Sequence, residues 1–116
     1  MNRLFLQRVV FFLGVFLATS AWAEGRIRNI SANIEEGNRV ELIIAGDHSD
    51  NLNCDLRVRF GDGKRQIFQM RANGQRFPLV ISRTYLSGTY SAQVEGRRDG
   101  RIPGCRGSAT TTFAVP

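Results

Sequence analysis

The residues able to do chemistry in this sequence are few. There is one histidine, His48, there are two cysteines, Cys54 and Cys105, and there are ten carboxylates against sixteen basic side chains, of which only Lys64 is lysine. His48 stands between Asp47 and Ser49 in "GDHSDNLNCD". A hydrolytic triad gathers its members from distant parts of a chain, so this adjacency is no signal of one. A glycosidase pair of carboxylates needs a cleft, which a single small β domain rarely forms. The expected class is therefore non-enzymatic, with no catalytic residue and no cofactor. The same stretch offers oxygen ligands for calcium in Asp47, Asp50, Asn51, Asn53 and Asp55. Its spacing misses the EF-hand loop, with Leu56 where glycine is required, and Asp and Asn are also what surface turns use. A turn is the favoured reading, and no metal site is assigned.

The thiols point elsewhere. With no C-x-x-C and a single histidine to join them, Cys54 and Cys105 lack the spacing of a redox pair or a metal set. In an exported chain an even cysteine count reads as a structural disulfide. Closing a loop of about 50 residues contributes on the order of 4 kcal/mol in the chain-entropy model. The best candidate for binding is "EGRRDGRIPGCRG", where Arg97, Arg98, Arg101 and Arg106 are interleaved with Gly96, Gly100, Gly104 and Gly107 around Pro103. Guanidinium presents a planar fork to carboxylate, phosphate or sulfate, and loops on a rigid scaffold are common binding surfaces. A second basic patch, Arg57 with Arg59, is expected on one strand face, partly neutralised by cross-strand pairing with Glu95.

Export is read from the N-terminus. Arg3 and Arg8 precede an apolar run from Val9 to Ala18, and Ala21 and Ala23 fit the small-residue rule for signal peptidase, with the cut before Glu24. The run is too short and too interrupted for a membrane span of roughly 20 apolar residues. Residues 1–23 are thus expected to be a signal peptide, leaving a mature chain without a transmembrane segment, periplasmic or secreted. Two of the sixteen basic residues leave with it, so the mature chain carries a net charge near +4. That balance favours anionic partners. Nucleic acid is a poor candidate for an exported chain with no helix-turn-helix or zinc-finger spacing. Asn29-Ile30-Ser31 matches a glycosylation acceptor, which matters only in a host that glycosylates exported chains.

The elements that must position these residues are strands. Segments 27–34, 38–46, 54–60, 65–70, 76–82, 88–94 and 108–115 are short, β-branched and aromatic, and separated by Gly, Asn, Asp or Pro. About seven strands in one small domain, residues 24–116, predict an all-β sandwich. Alternation puts Leu56, Val58 and Phe60 on one face and Asp55, Arg57 and Arg59 on the other; Tyr90, Ala92 and Val94 point inward, Ser91, Gln93 and Glu95 outward. Pro78 places the fifth strand at an edge or a bulge. Gly61-Asp62-Gly63 lies between two strands and reads as a hairpin rather than a phosphate loop, which would need a helix after it.

"VRFGDG" (58–63) followed by "SRTYLSGTYSAQV" (82–94) resembles the PKD (polycystic kidney disease) domain family, whose pattern is W-x-F-G-D-G, then H-x-Y and a short turn into G-x-Y. Phe60, Gly61, Asp62, Gly63, Tyr85, Gly88, Tyr90 and Val94 match in order and spacing, and the likeness spans roughly residues 26–116. Val58 replaces the family's tryptophan, Arg59 the next acidic position and Arg83 the histidine, so the resemblance is to a divergent member. The resemblance implies an immunoglobulin-like sandwich without an active site, an interaction or spacer module, here free-standing. In that topology the second-to-third and sixth-to-seventh connections share one end, which would bring Cys54 beside Cys105 and let Asp47 and Asp50 face the arginines. The function expected is a binding module of the cell envelope, contacting a protein or an acidic polymer through the basic loop. The alternatives are an inhibitor of a secreted enzyme and a structural subunit of an envelope assembly.

Overall fold

The computed structural model describes residues 25–116; the expected signal peptide lies outside the described residues. Seven strands occur in the order β1 (Gly25–Glu35), β2 (Arg39–His48), β3 (Asn53–Arg59), β4 (Arg65–Arg71), β5 (Leu79–Thr84), β6 (Gly88–Gly96) and β7 (Ser108–Val115), with one 3-10 turn, Glu36–Asn38, joining β1 to β2. They form two antiparallel sheets, β1-β2-β5 and β4-β3-β6-β7. The chain changes sheet after β2, after β4 and after β5, giving an immunoglobulin-like sandwich. Among the described residues no helix is long and apolar enough to cross a membrane.

Period-two patterning builds the core. Val40, Leu42 and Ile44 from β2 are buried against Leu56 and Val58 of β3, Ala92 and Val94 of β6, and Phe113 and Val115 of β7. Each fully buried Val, Leu or Ile contributes roughly 1.5–3 kcal/mol. Val58, where the resembled family carries tryptophan, is completely buried. The fifth strand begins at Leu79, not at residue 76, and pairs only with β2 at the sheet edge. Pro78 precedes it because a proline nitrogen has no hydrogen to give the ladder.

The connection from β6 to β7 is not an open loop. After Gly96 the chain turns through Asp99–Ile102, which bond each other's backbones, and re-enters the molecule. Asp55 N donates to Pro103 O (3.0 Å) and Cys105 N to Asp55 O (2.9 Å), while Ile27 N donates to Arg106 O (2.7 Å) and Arg106 N to Gly25 O (2.9 Å). Residues 103–106 therefore stitch β3 of one sheet to β1 of the other. A side chain at position 96 would drive its Cβ into the Cys105 carbonyl, so only glycine permits the crossing. The Cys54–Cys105 disulfide, with Cα atoms 4.9 Å apart, ties the same place.

One strand-face expectation is corrected. Asp55 shares the outer face of β3 with Arg57 and Arg59 by alternation, yet it is 1% exposed. The re-entrant segment covers it, and Arg71 Nη1 reaches its Oδ1 at 3.0 Å. Strand parity alone cannot foresee a loop folded back over the sheet.

Candidate functional site

Four strands and one hairpin shape the outer face of the larger sheet. Arg65 of β4 sits directly opposite Arg59 of β3, Arg59 opposite Gln93 of β6, and Gln93 opposite Thr110 of β7. These four residues form one row across the whole sheet. The β3–β4 hairpin closes its end. Gly61 (φ 86°) and Gly63 (φ 89°) take the left-handed conformations on either side of Asp62, and position 61 lies against the Ser91 backbone. The result is an open groove of about 600 Å³ lined by Arg59, Gly61, Lys64, Arg65, Gln93 and Thr110, with Ser91 and Gly63. A smaller hollow of about 170 Å³ adjoins it, sharing Arg65 and adding Arg57, Ile67 and Arg97.

Charge on this face is one-sided. Its carboxylates are Asp55, which is buried, and Glu95, which is paired. Arg57 Nε donates to Glu95 Oε2 at 3.2 Å, Arg57 Nη2 bonds the same oxygen, and Arg59 Nη2 lies 3.8 Å from it. Hydrogen bonds from Arg57 outweigh burial and, with the charges of both arginines, hold the Glu95 carboxyl below its ordinary value. The expected Arg57–Arg59–Glu95 arrangement is thus present. Among the described residues, Lys64, Arg65 and Arg97 have no ion-pair partner, although like charges directly opposite on paired strands, as at Arg59 and Arg65, are destabilising.

The hairpin itself is held by the motif residues. Asp62 Oδ1 accepts the Lys64 backbone N–H (3.0 Å) and Oδ2 accepts from Arg83 Nη2 (2.6 Å). The Arg83 guanidinium lies 4.0 Å over the Phe60 ring, and the buried Tyr85 hydroxyl donates to Phe60 O at 2.8 Å. Tyr90 and Phe113 pack on Tyr85, at 4.7 and 5.2 Å between ring centroids. Burial opposes ionisation of Asp62, but Arg83 and the Lys64 amide overcome it and lower its pKa. For Tyr85, burial together with the Asp62 charge pushes the phenol up to about 12. Both Asp62 oxygens are thereby engaged in holding the hairpin.

Of the four arginines of the connection, Arg97 is half-buried and the other three are exposed. Arg97 joins Arg57 and Arg65 beside the smaller hollow. Arg98 and Arg101 are exposed at the 99–102 turn, and Arg106 is exposed where the backbone bonds to β1. The missed members of the basic surface are Lys64 and Arg65. They were visible in "GDGKRQIF", but only cross-strand register sets them beside Arg59. Asp47 pairs with Arg28, beside a bulge in β1 between Ile27 and Asn29. Asp55 of the oxygen-rich stretch is buried, and the described residues hold no group of three or more His, Cys, Asp or Glu placed for a metal ion. His48 Nδ1 contacts the Ser49 carbonyl (2.9 Å) rather than a carboxylate, and its ring is 6.4 Å from that of Phe77. It borders a polar hollow of about 270 Å³ with Asp50, Asn73 and Arg76.

No family model, no curated protein and no solved structure matches the chain.

Proposed function

We propose that this is an exported, non-enzymatic binding module of the cell envelope that holds an anionic partner on the outer face of its four-stranded sheet. The observation that carries this reading is the row Arg65–Arg59–Gln93–Thr110 over a groove in which Arg65 and Lys64 have no ion-pair partner among the described residues and Arg59 has only a distant one in Glu95. Natural sheets pair opposite charges across strands; placing Arg59 opposite Arg65 costs stability unless an external anion sits between them. Guanidinium groups suit that role through charge-assisted, planar hydrogen bonding. Arg97 extends the surface through the adjoining hollow. The convergence of the motif residues Phe60, Asp62, Tyr85 and Tyr90 around the hairpin is in keeping with the PKD-like reading, with the motif serving as scaffold for the groove. The disulfide fits an oxidising compartment, periplasmic or extracellular.

The test is capture of partners from a cell-envelope extract by the oxidised mature protein, residues 24–116, at low salt and at 1 M salt, where the Debye length is about 3 Å. Capture is expected to vanish at 1 M and to fall sharply in Arg59→Glu with Arg65→Glu. A weaker effect is expected of Arg98→Ala with Arg101→Ala. Persistence at 1 M favours the second reading, a structural subunit that pairs through a sheet edge. Its supporting observation is edge strand β5, where Val80 is 50% exposed.

A further inference from the structure

We infer that the groove takes an acidic polysaccharide, a chain whose sugar units carry both anionic groups and free hydroxyls. This rests on the reading of the face as an anion-binding surface and narrows it. The lining divides by chemistry into two halves. Arg59, Lys64 and Arg65 supply three cations on the β3–β4 side, while Gln93, Thr110 and Ser91 supply neutral amide and hydroxyl groups on the β6–β7 side. The register fixes the halves next to each other, because Arg59 is the cross-strand partner of Gln93, and Gln93 that of Thr110. A ligand bound across that line must present charge at one end and hydrogen-bonding hydroxyls at the other within one short repeat.

Competing partners fit less well. Protein interfaces are anchored by Trp, Tyr and Arg in well-packed, fully desolvated pockets; the lining has the arginines but no aromatic residue, and the groove is open to solvent. Single-stranded nucleic acid requires aromatic platforms for its bases, which are absent from the lining. A purely phosphate polymer would leave Gln93 and Thr110 without a task. About 600 Å³ falls within the roughly 300–1,000 Å³ of small-ligand sites, and because the groove is open along the sheet it suits a short segment of a long polymer. The aliphatic stems of the arginines and lysine give the sugar's C–H faces something apolar to lie on.

The test measures affinity of the oxidised mature protein for four probes at 50 mM salt: an oligogalacturonate, inorganic polyphosphate, poly-glutamate and neutral dextran. The oligogalacturonate is expected to bind most tightly and dextran not to bind. Gln93→Ala with Thr110→Val keeps every cation and is expected to weaken oligogalacturonate binding about tenfold while leaving polyphosphate within about twofold. Arg59→Ala with Arg65→Ala should weaken all three anions. Equal binding of the three anions, together with no effect of the Gln93/Thr110 pair, overturns the saccharide assignment and leaves the anion-binding reading standing. Binding of none of them, with each protein folded by circular dichroism, overturns both.

Discussion

Arg83 stands where the resembled family has histidine, and it does three things at once. It salt-bridges Asp62, covers the ring of Phe60 and, with Tyr85 two residues on, fastens the hairpin from below. Because Tyr85 is buried and near the Asp62 charge, its phenol keeps its proton to about 12, whereas in the unfolded chain it ionises near 10. A raised pKa means stability that is complete below about pH 10 and is lost as pH climbs toward 12, by up to roughly 2–3 kcal/mol. Tyr85→Phe should cost about 1 kcal/mol at neutral pH through the lost bond to Phe60 O, and its urea midpoint should fall less steeply than wild type between pH 10 and 12. Gly61 and Gly63 make a matched pair of tests. Alanine at 63 meets open space and bears only the left-handed strain, about 1 kcal/mol. Alanine at 61 bears that strain and also a Cβ clashing with the Ser91 carbonyl, so roughly 3 kcal/mol is expected from chemical denaturation. Equal costs would mean the hairpin does not rest on β6.

The β6–β7 connection behaves as an element in its own right. Two kinds of tie hold it: backbone hydrogen bonds to β1 and β3, and the Cys54–Cys105 bond closing a separation of 51 residues. They act on different states. The covalent link chiefly restricts the unfolded chain, while the hydrogen bonds belong to the folded one. Reduction is therefore expected to lower unfolding free energy by up to about 4 kcal/mol while the protein stays folded and cooperative. Amide exchange in the reduced protein checks this directly. The Cys105 and Arg106 amides, which donate to Asp55 O and Gly25 O, should remain slower than that of Gly100. If they exchange as fast as Gly100, the disulfide alone makes the crossing.

Charge is distributed unevenly over the whole molecule, and Glu95 is the control point. It neutralises Arg57 and part of Arg59 on the face proposed to bind. Glu95→Gln frees both, and affinity for a polyanion such as polyphosphate is expected to rise about threefold at 50 mM salt, an advantage that disappears at 1 M. The same change should lower stability by no more than about 1 kcal/mol, since the pair is partly exposed. Acid has the matching consequence. The Glu95 and Asp62 pKa values are both lowered by folding, so their contributions are complete above the unfolded carboxylate range and are lost as pH falls through the folded values.

Local residue order was enough for the strands, their inward faces, the hairpin at Gly61-Asp62-Gly63 and the pairing of the only two cysteines. Each depends on spacing within a few residues or on a count. The Arg57–Glu95 pair was also legible, since alternation puts both on outward faces. The burial of Asp55, the place of Arg97 beside Arg57 and Arg65, the partnership of Asp47 with Arg28, and the alignment of Arg65, Arg59, Gln93 and Thr110 were not. All of these are set by which strands become neighbours, by their register, and by a re-entrant segment whose course depends on contacts between residues more than 40 positions apart in the chain. One residue of slip in β3 against β6 would turn the row away from the groove. The chemistry of the side chains was written in the sequence, but their company was decided by tertiary packing, because register is a property of paired strands and not of any one of them.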